Sequence, residues 1–303
     1  MLENKPVRFG RLACANIARK VSKGHKALTK RPPSRPSAAV RSTRPRSSCP
    51  RMASLTRLTS TAPTKPCLTR HLLKIVQQPV ALNVSELDKI LEACESNGVQ
   101  YMDATMWMHH PRTAKMKEFL AEPERFGKLK SVHSIFSYDG GPDFLKTDNR
   151  VKPDLDALGR LGVIMTCGAS LSWGDGKIAT FSCSFLTNLT MDINCGGTKG
   201  NLRIHDFVIP FQENVGQFYA ASKSKFAELA LGCEPIPSEH AVMTDLPQEA
   251  LMVSEFARLA ANIERNGSKP EKKWPTISRK TQLALDAVKA LIEKGFEPVE
   301  VGN

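Results

Sequence analysis

The stretch from Ser22 to Arg70, SKGHKALTKRPPSRPSAAVRSTRPRSSCPRMASLTRLTSTAPTKPCLTR, contains no acidic and no aromatic residue. Pro, Ser, Thr and Arg dominate it, and its apolar residues follow neither helical nor strand periodicity. Repeated prolines interrupt any helix longer than two turns. Such a segment cannot bury enough apolar surface to offset the entropy of ordering it, so it is expected to be disordered or irregular. It also divides the charge. Residues 1–74 carry 18 Lys/Arg and one acid, Glu3, whereas the remainder carries 25 Lys/Arg and 29 Asp/Glu. The net charge of +13 over 303 residues therefore belongs to the first quarter, and the rest is slightly acidic. A partner inferred from overall basicity would be inferred from that segment alone.

The remaining composition is that of a globular chain, with 41% apolar residues. No apolar run is long enough to span a bilayer, and Met1–Lys5 lacks the apolar core of a secretory signal. The eight cysteines, at 14, 49, 67, 94, 167, 183, 195 and 233, show no C-x-x-C pair and no zinc-ligand spacing. Reduced thiols, a cytoplasmic location and no metal are the expectation.

Elements can be placed from pattern. Val7–Ala13 reads as a short strand and Ala15–Val21 as the start of a helix capped by Asn16. After the basic stretch, Ser85 and Asp88 suggest a capping box. Val84, Leu87, Leu91 and Cys94 recur at helical spacing, and Gly98 is the stop. Val99–Ala104 then reads as a strand, giving one helix–strand step of an α/β sheet. A short helix over Thr113–Leu120 follows Pro111. From Lys128 onward the text is β-rich: Leu129–Tyr138, Val163–Cys167, Lys177–Phe185, Leu189–Cys195 and Asn201–Phe207. Trp173-Gly174-Asp175-Gly176 is a hairpin turn, as Asp-Gly suits positive φ. Two amphipathic helices, Pro247–Asn266 and Ser278–Lys294, close the chain at Gly267 and Gly295. The fold class expected is α/β: an incomplete parallel-sheet domain over 1–104, then an α+β domain over 105–303 with a large, mostly antiparallel open sheet.

Five stretches, in this order, carry a resemblance. They are Arg8-Phe9-Gly10 through Ile17–Val21, Pro79-Val80-Ala81-Leu82-Asn83, Met106-Trp107-Met108-His109-His110-Pro111-Arg112, Gly197-Thr198-Lys199-Gly200 through His205-Asp206, and Trp274-Pro275-Thr276-Ile277-Ser278-Arg279-Lys280. Together they resemble the glucose–fructose oxidoreductase/inositol dehydrogenase (Gfo/Idh/MocA-like) family, closest to its plant branch and more distantly to dimeric dihydrodiol dehydrogenase. The resemblance implies a Rossmann domain binding NADP or NAD. It also implies hydride transfer to or from a sugar-like or diol substrate, and a homodimer formed through the C-terminal sheet. It places Gly10, Ala13, Cys14, Ala15, Asn16, Ile17 and Pro79 at the cofactor, Asn83, Trp107 and His110 in the substrate cleft, and Gln78 and His109 at catalytic positions.

This chain departs from the family in three places. Ala13 stands where the phosphate turn has a glycine, at a position that favours the absence of a Cβ. Gln78 stands where the family's Glu-Lys-Pro signature has its lysine. A glutamine donates a hydrogen bond but moves no proton, and a general acid–base group typically contributes about 10²–10⁴-fold. At Gly162–Val163 a segment carrying the family's acidic active-site residue is missing. The resemblance thus implies an oxidoreductase impaired as a catalyst. The alternative is a non-catalytic remnant that keeps the sheet for dimerisation.

Residues 22 to about 76 occupy the place of the missing βα units, and their text is what out-of-frame translation of GC-rich sequence or a mispredicted exon tends to give. A nucleic-acid-binding tail is a weaker reading: the charge suits phosphates, but no aromatic offers a stacking surface. A transit peptide has no room before the family-like strand at Val7–Leu12. Adjacent His109 and His110 do not suit one metal ion. Gly197–Gly200 reads as a strand-joining turn, and Cys167, Cys183 and Cys195 as small apolar strand residues.

Overall fold

The computed structural model describes residues 74–76, 80–147, 166–226 and 233–301. Strand β1 (Lys74–Val76) leads to helix α1 (Val84–Ser96) and strand β2 (Tyr101–Asp103). β1 and β2 are parallel, with Val76 opposite Asp103. A 3-10 turn over Met106–His109 joins β2 to helix α2 (Pro111–Leu120). Next come β3 (Leu129–Ser137), a short α3 (Gly141–Thr147), β4 (Thr166–Ser172), β5 (Ile178–Ser184), β6 (Thr190–Gly197), β7 (Gly200–Ile204) and β8 (Val215–Ser222). A two-stranded ribbon, β9 (Lys225–Phe226) and β10 (Cys233–Glu234), precedes β11 (Ser238–Met243). Helices α4 (Gln248–Asn266) and α5 (Lys273–Glu293) end the chain.

The large sheet has seven strands in the order β11-β8-β7-β6-β3-β5-β4. All its pairs are antiparallel except β3 with β5. The class is therefore α/β with a large, mostly antiparallel sheet, as the alternation of apolar and polar residues requires. One face packs under α2: Met116 and Phe119 of the helix meet Phe126, Cys195, Leu202, Ile204, Phe218 and Ala220. The other face carries His133 and Ile135 of β3, Ser170 of β4, Arg203 of β7 and Glu239 of β11, all exposed.

A second core lies where the parallel strands meet the terminal helices: Met102, Met106, Met252, Phe256, Leu259, Ala260 and Trp274. α5 reaches back to α1 through Arg279 and Asp88, 2.9 Å apart, and through Asp286, whose carboxylate accepts the Val84 N–H at 2.7 Å.

Several boundaries differ from expectation. Helix α1 is capped by Asn83, not Ser85: the Asn83 Oδ1 accepts the Glu86 N–H at 2.9 Å, and the Glu86 carboxylate accepts the Leu82 N–H at 3.1 Å. α5 begins five residues before Ser278, with Pro275 in its first turn, where its missing N–H costs nothing. Strands β8 and β11 and helix α3 were not anticipated. The turn glycines behave as read: Gly176 (φ 78°) closes the β4–β5 hairpin and Gly267 (φ 62°) ends α4, conformations a Cβ would oppose. Residues 197–200 are indeed a strand-joining turn, between β6 and β7. The proposed strand and helix at Val7–Val21, the basic stretch, and the interruption at Gly162–Val163 lie outside the described residues.

Candidate functional site

In open α/β sheets ligands sit outside the carboxyl ends of parallel strands. Here that edge is formed by the ends of β1 and β2, and the chain leaving β2 builds the 3-10 turn. Asp103, the last residue of β2, is 1% exposed. One carboxylate oxygen accepts the Thr105 N–H at 3.0 Å, and the other accepts the Ser278 hydroxyl from α5. This turn, closed by an Asp side chain, sets the direction of Met106–His109. Trp107 then meets Phe207 edge-on at 5.8 Å, and its carbonyl accepts the Thr113 hydroxyl at 2.7 Å. His109 stacks on Trp274 of α5, with ring centroids 4.5 Å apart.

His110 caps α2. Its Nδ1 accepts the Arg112 N–H at 3.0 Å, so in the neutral ring the proton sits on Nε2. The side chain is buried, and Nε2 has no partner among the described residues. Two residues on, the buried Arg112 guanidinium is paired with the Asp206 carboxylate. It also donates to the carbonyls of Asp206 (3.1 Å) and Gln217 (3.2 Å). The second Asp206 oxygen accepts the Phe211 N–H at 2.9 Å. Gly216 on β8 permits this approach, since a Cβ there would lie 2.6 Å from His110 Cε1. An Arg with both terminal guanidinium nitrogens engaged is the residue expected for a buried ion pair.

Burial pushes both histidines down to about 4; for His110 the Arg112 charge adds to it, while for His109 Glu255 partly opposes it. Both rings are therefore neutral at neutral pH. Neither is matched to proton transfer there, which works best with a group titrating near the working pH. Burial also raises the Tyr101 hydroxyl to about 12. A depression of about 350 Å³ is lined by Gln100, Glu255, Arg258, Lys269, Glu271 and Lys273. Because Gln100 directly precedes β2, it opens toward the amino end of that strand, away from the edge where ligands of such sheets bind.

Of the residues singled out in the sequence, Trp107, His109 and His110 come together on one turn. Asn83 is an exposed N-cap. Gly10, Ala13, Cys14, Ala15, Asn16, Ile17, Gln78 and Pro79 lie outside the described residues. The structure adds Asp103, Arg112, Asp206, Trp274 and Ser278. Four of these five fall inside the stretches that carried the family resemblance. No individual role was legible for them, because each acts by touching a residue distant in the chain. No group of three or more His, Cys, Asp or Glu able to hold a metal occurs among the described residues.

No family model matches the chain. Over 89 residues it is 33% identical to D-xylose 1-dehydrogenase (NADP(+)) 2 of Haloferax volcanii, a stretch covering 28% of this chain and 25% of that protein. The match thus spans only about a quarter of this curated relative. Among solved structures, a 3-ketoreductase from Actinomadura kijaniata, in complex with NADP and TDP-benzene, superposes with a TM-score of 0.56 at 15% identity over 73% of this chain and 70% of that one. Levoglucosan dehydrogenase, in complex with NADH and levoglucosan, gives 0.56 at 14% identity over 77% and 74%. The chain shares the fold of these oxidoreductases.

Proposed function

We propose that this chain is a Gfo/Idh/MocA-like oxidoreductase, by descent an NAD(P)-dependent hydride-transfer enzyme for a sugar-like or diol substrate, and that its catalysis is impaired. The observation that carries the family reading is the pairing of a seven-stranded, mostly antiparallel open sheet with parallel strands ending at the Trp107–His110 turn. The fold shared with the two dinucleotide-bound oxidoreductases supports it. In this reading residues 1–104 are an incomplete dinucleotide-binding domain and 105–303 the substrate and dimerisation domain.

Bound NAD(P) would supply or accept the hydride, but the described residues do not fit its pyrophosphate. A helix N-terminus binds such an anion through free N–H groups. The start of α1 spends the Glu86 and Leu82 N–H groups on its own side chains, and the start of α2 spends that of Arg112 on His110 and has Pro111 at its first position. The cradle would fall to Gly10–Ile17. Impairment is further supported by two histidines buried as neutral rings and by Gln78 at the lysine position.

Titration of the purified protein with NADPH, followed by fluorescence of its three tryptophans, tests the reading. Saturable binding with turnover of a sugar or diol would overturn the impairment. Saturable binding without turnover fits an impaired enzyme. The remnant reading, favoured by the occupied helix termini, expects no saturation but a homodimer on sizing that Ile135→Glu, on the open face, converts to monomer. Salt-sensitive retention on DNA would favour the nucleic-acid reading instead.

A further inference from the structure

Cys167 on β4 and Cys183 on β5 stand directly opposite one another in the antiparallel ladder. Their thiols lie within reach of each other. The hairpin fixes which kind of pair they form. The Trp173 N–H donates to the Lys177 carbonyl at 3.0 Å, and hydrogen-bonded and non-hydrogen-bonded pairs alternate from there. Counting along the register places Cys167 and Cys183 at a hydrogen-bonded pair, where Cα atoms are about 5.5 Å apart. That spacing is at the edge of the commonest range for a disulfide, whereas the Cβ atoms of such a pair must be drawn in toward about 3.8 Å. The ladder thus admits a disulfide without moving the backbone far, but under strain, and strained disulfides are the readily reduced ones. Access is one-sided: Cys167 is buried and Cys183 only partly so. Cys195 is the internal control: it is buried on the same sheet, yet it faces Val132 and Leu202 and has no cysteine opposite.

We propose that Cys167 and Cys183 form a reversible disulfide site, oxidised by exchange with a low-molecular-weight disulfide of the glutathione type. The Cys183 thiolate attacks one sulfur of the small disulfide, giving a mixed disulfide and releasing one small thiol, which takes up the proton lost from Cys183. The Cys167 thiolate then attacks the Cys183 sulfur, closing the Cys167–Cys183 bond and releasing the second small thiol with its proton. Two protein thiols are oxidised by two electrons, and one small disulfide is reduced to two thiols. The product ties β4, the edge strand of the sheet among the described residues, to its ladder partner β5. The raised thiol pKa values, from burial first, make the step slow at neutral pH.

The full chain is incubated in glutathione buffers of graded redox poise, quenched in acid, alkylated and mapped by mass spectrometry without reduction. The expected result is a Cys167–Cys183 cross-linked peptide, two hydrogens lighter than the reduced pair, that disappears with dithiothreitol while Cys195 stays alkylatable. Its rate of formation should rise about tenfold from pH 7 to pH 8, because the thiolate is the nucleophile. In Cys167→Ala, a glutathione adduct should persist on Cys183 without resolving. Both cysteines recovered reduced under oxidising buffer in protein with native circular dichroism, or either one paired with a different cysteine, would overturn the proposal. Mapping the unsubstituted chain decides this even where the variant does not fold.

Discussion

Around Asp103 and Arg112 the protein takes polar side chains out of water and gives each charge a fixed partner, whereas on the open face of the seven-stranded sheet polar side chains remain in solvent. Arg112 and Asp206 are nearly inaccessible, and between them they engage two carbonyls and one further N–H. On the open face, His133 and Thr180 meet at 2.6 Å and His205 and Asp192 at 3.1 Å, all with water in reach. The first lies where β2 and α2 meet the segment after β7, and the second on β3, β5, β6 and the residue that follows β7. The difference teaches where specificity of structure is stored: an exposed polar pair can be exchanged for water, but a buried one cannot.

The largest effect should come from breaking the buried pair. Arg112→Ala leaves Asp206 inaccessible and uncompensated, and should cost about 3–5 kcal/mol in urea unfolding with little dependence on salt. A loss near that of an exposed pair would show that Asp206 regains solvent rather than staying buried without its partner.

A smaller effect should come from acid. The unfolded chain protonates His109 and His110 below their ordinary 6.5, the folded one only near 4. Their burial as neutral rings is therefore fully favourable above about pH 6.5. It weakens as pH falls from 6.5 toward 4, by about 1.4 kcal/mol per pH unit for each ring fully out of solvent and less for the partly exposed His109. His110→Asn should flatten the urea midpoint over that window while keeping a side-chain cap on α2; an unchanged slope would mean that the ring is solvated. The smallest effect is expected for Lys115, which pairs with Glu118 at 2.8 Å on the outer face of α2. Lys115→Ala should change stability by less than about 0.5 kcal/mol, and a larger loss would blur the contrast between the two regions.

Much of the architecture was legible in the residues. β-rich composition between turn residues marked β3, β5, β6 and β7, Asp-Gly marked the β4–β5 hairpin, and Gly98, Gly267 and Gly295 marked three helix ends, each at positive φ. β11 was missed because its sequence, SEHAVM, alternates with charged and small residues that suit an edge strand. The start of α5 was missed because Trp274-Pro275 reads as a boundary from sequence, while in the structure Pro275 lies in the first turn and Trp274 is buried under His109.

The sequence by itself determined the class of the sheet, the β4–β5 hairpin and the turn at 197–200, because these depend on local composition and turn chemistry. Only the tertiary structure decided that Met106–His109 form a turn and what that turn touches. Asp103 to Ser278 and Arg112 to Asp206 are separated by 175 and 94 residues. A charge that will be buried looks the same in the sequence as one that stays in water until its distant partner is in place.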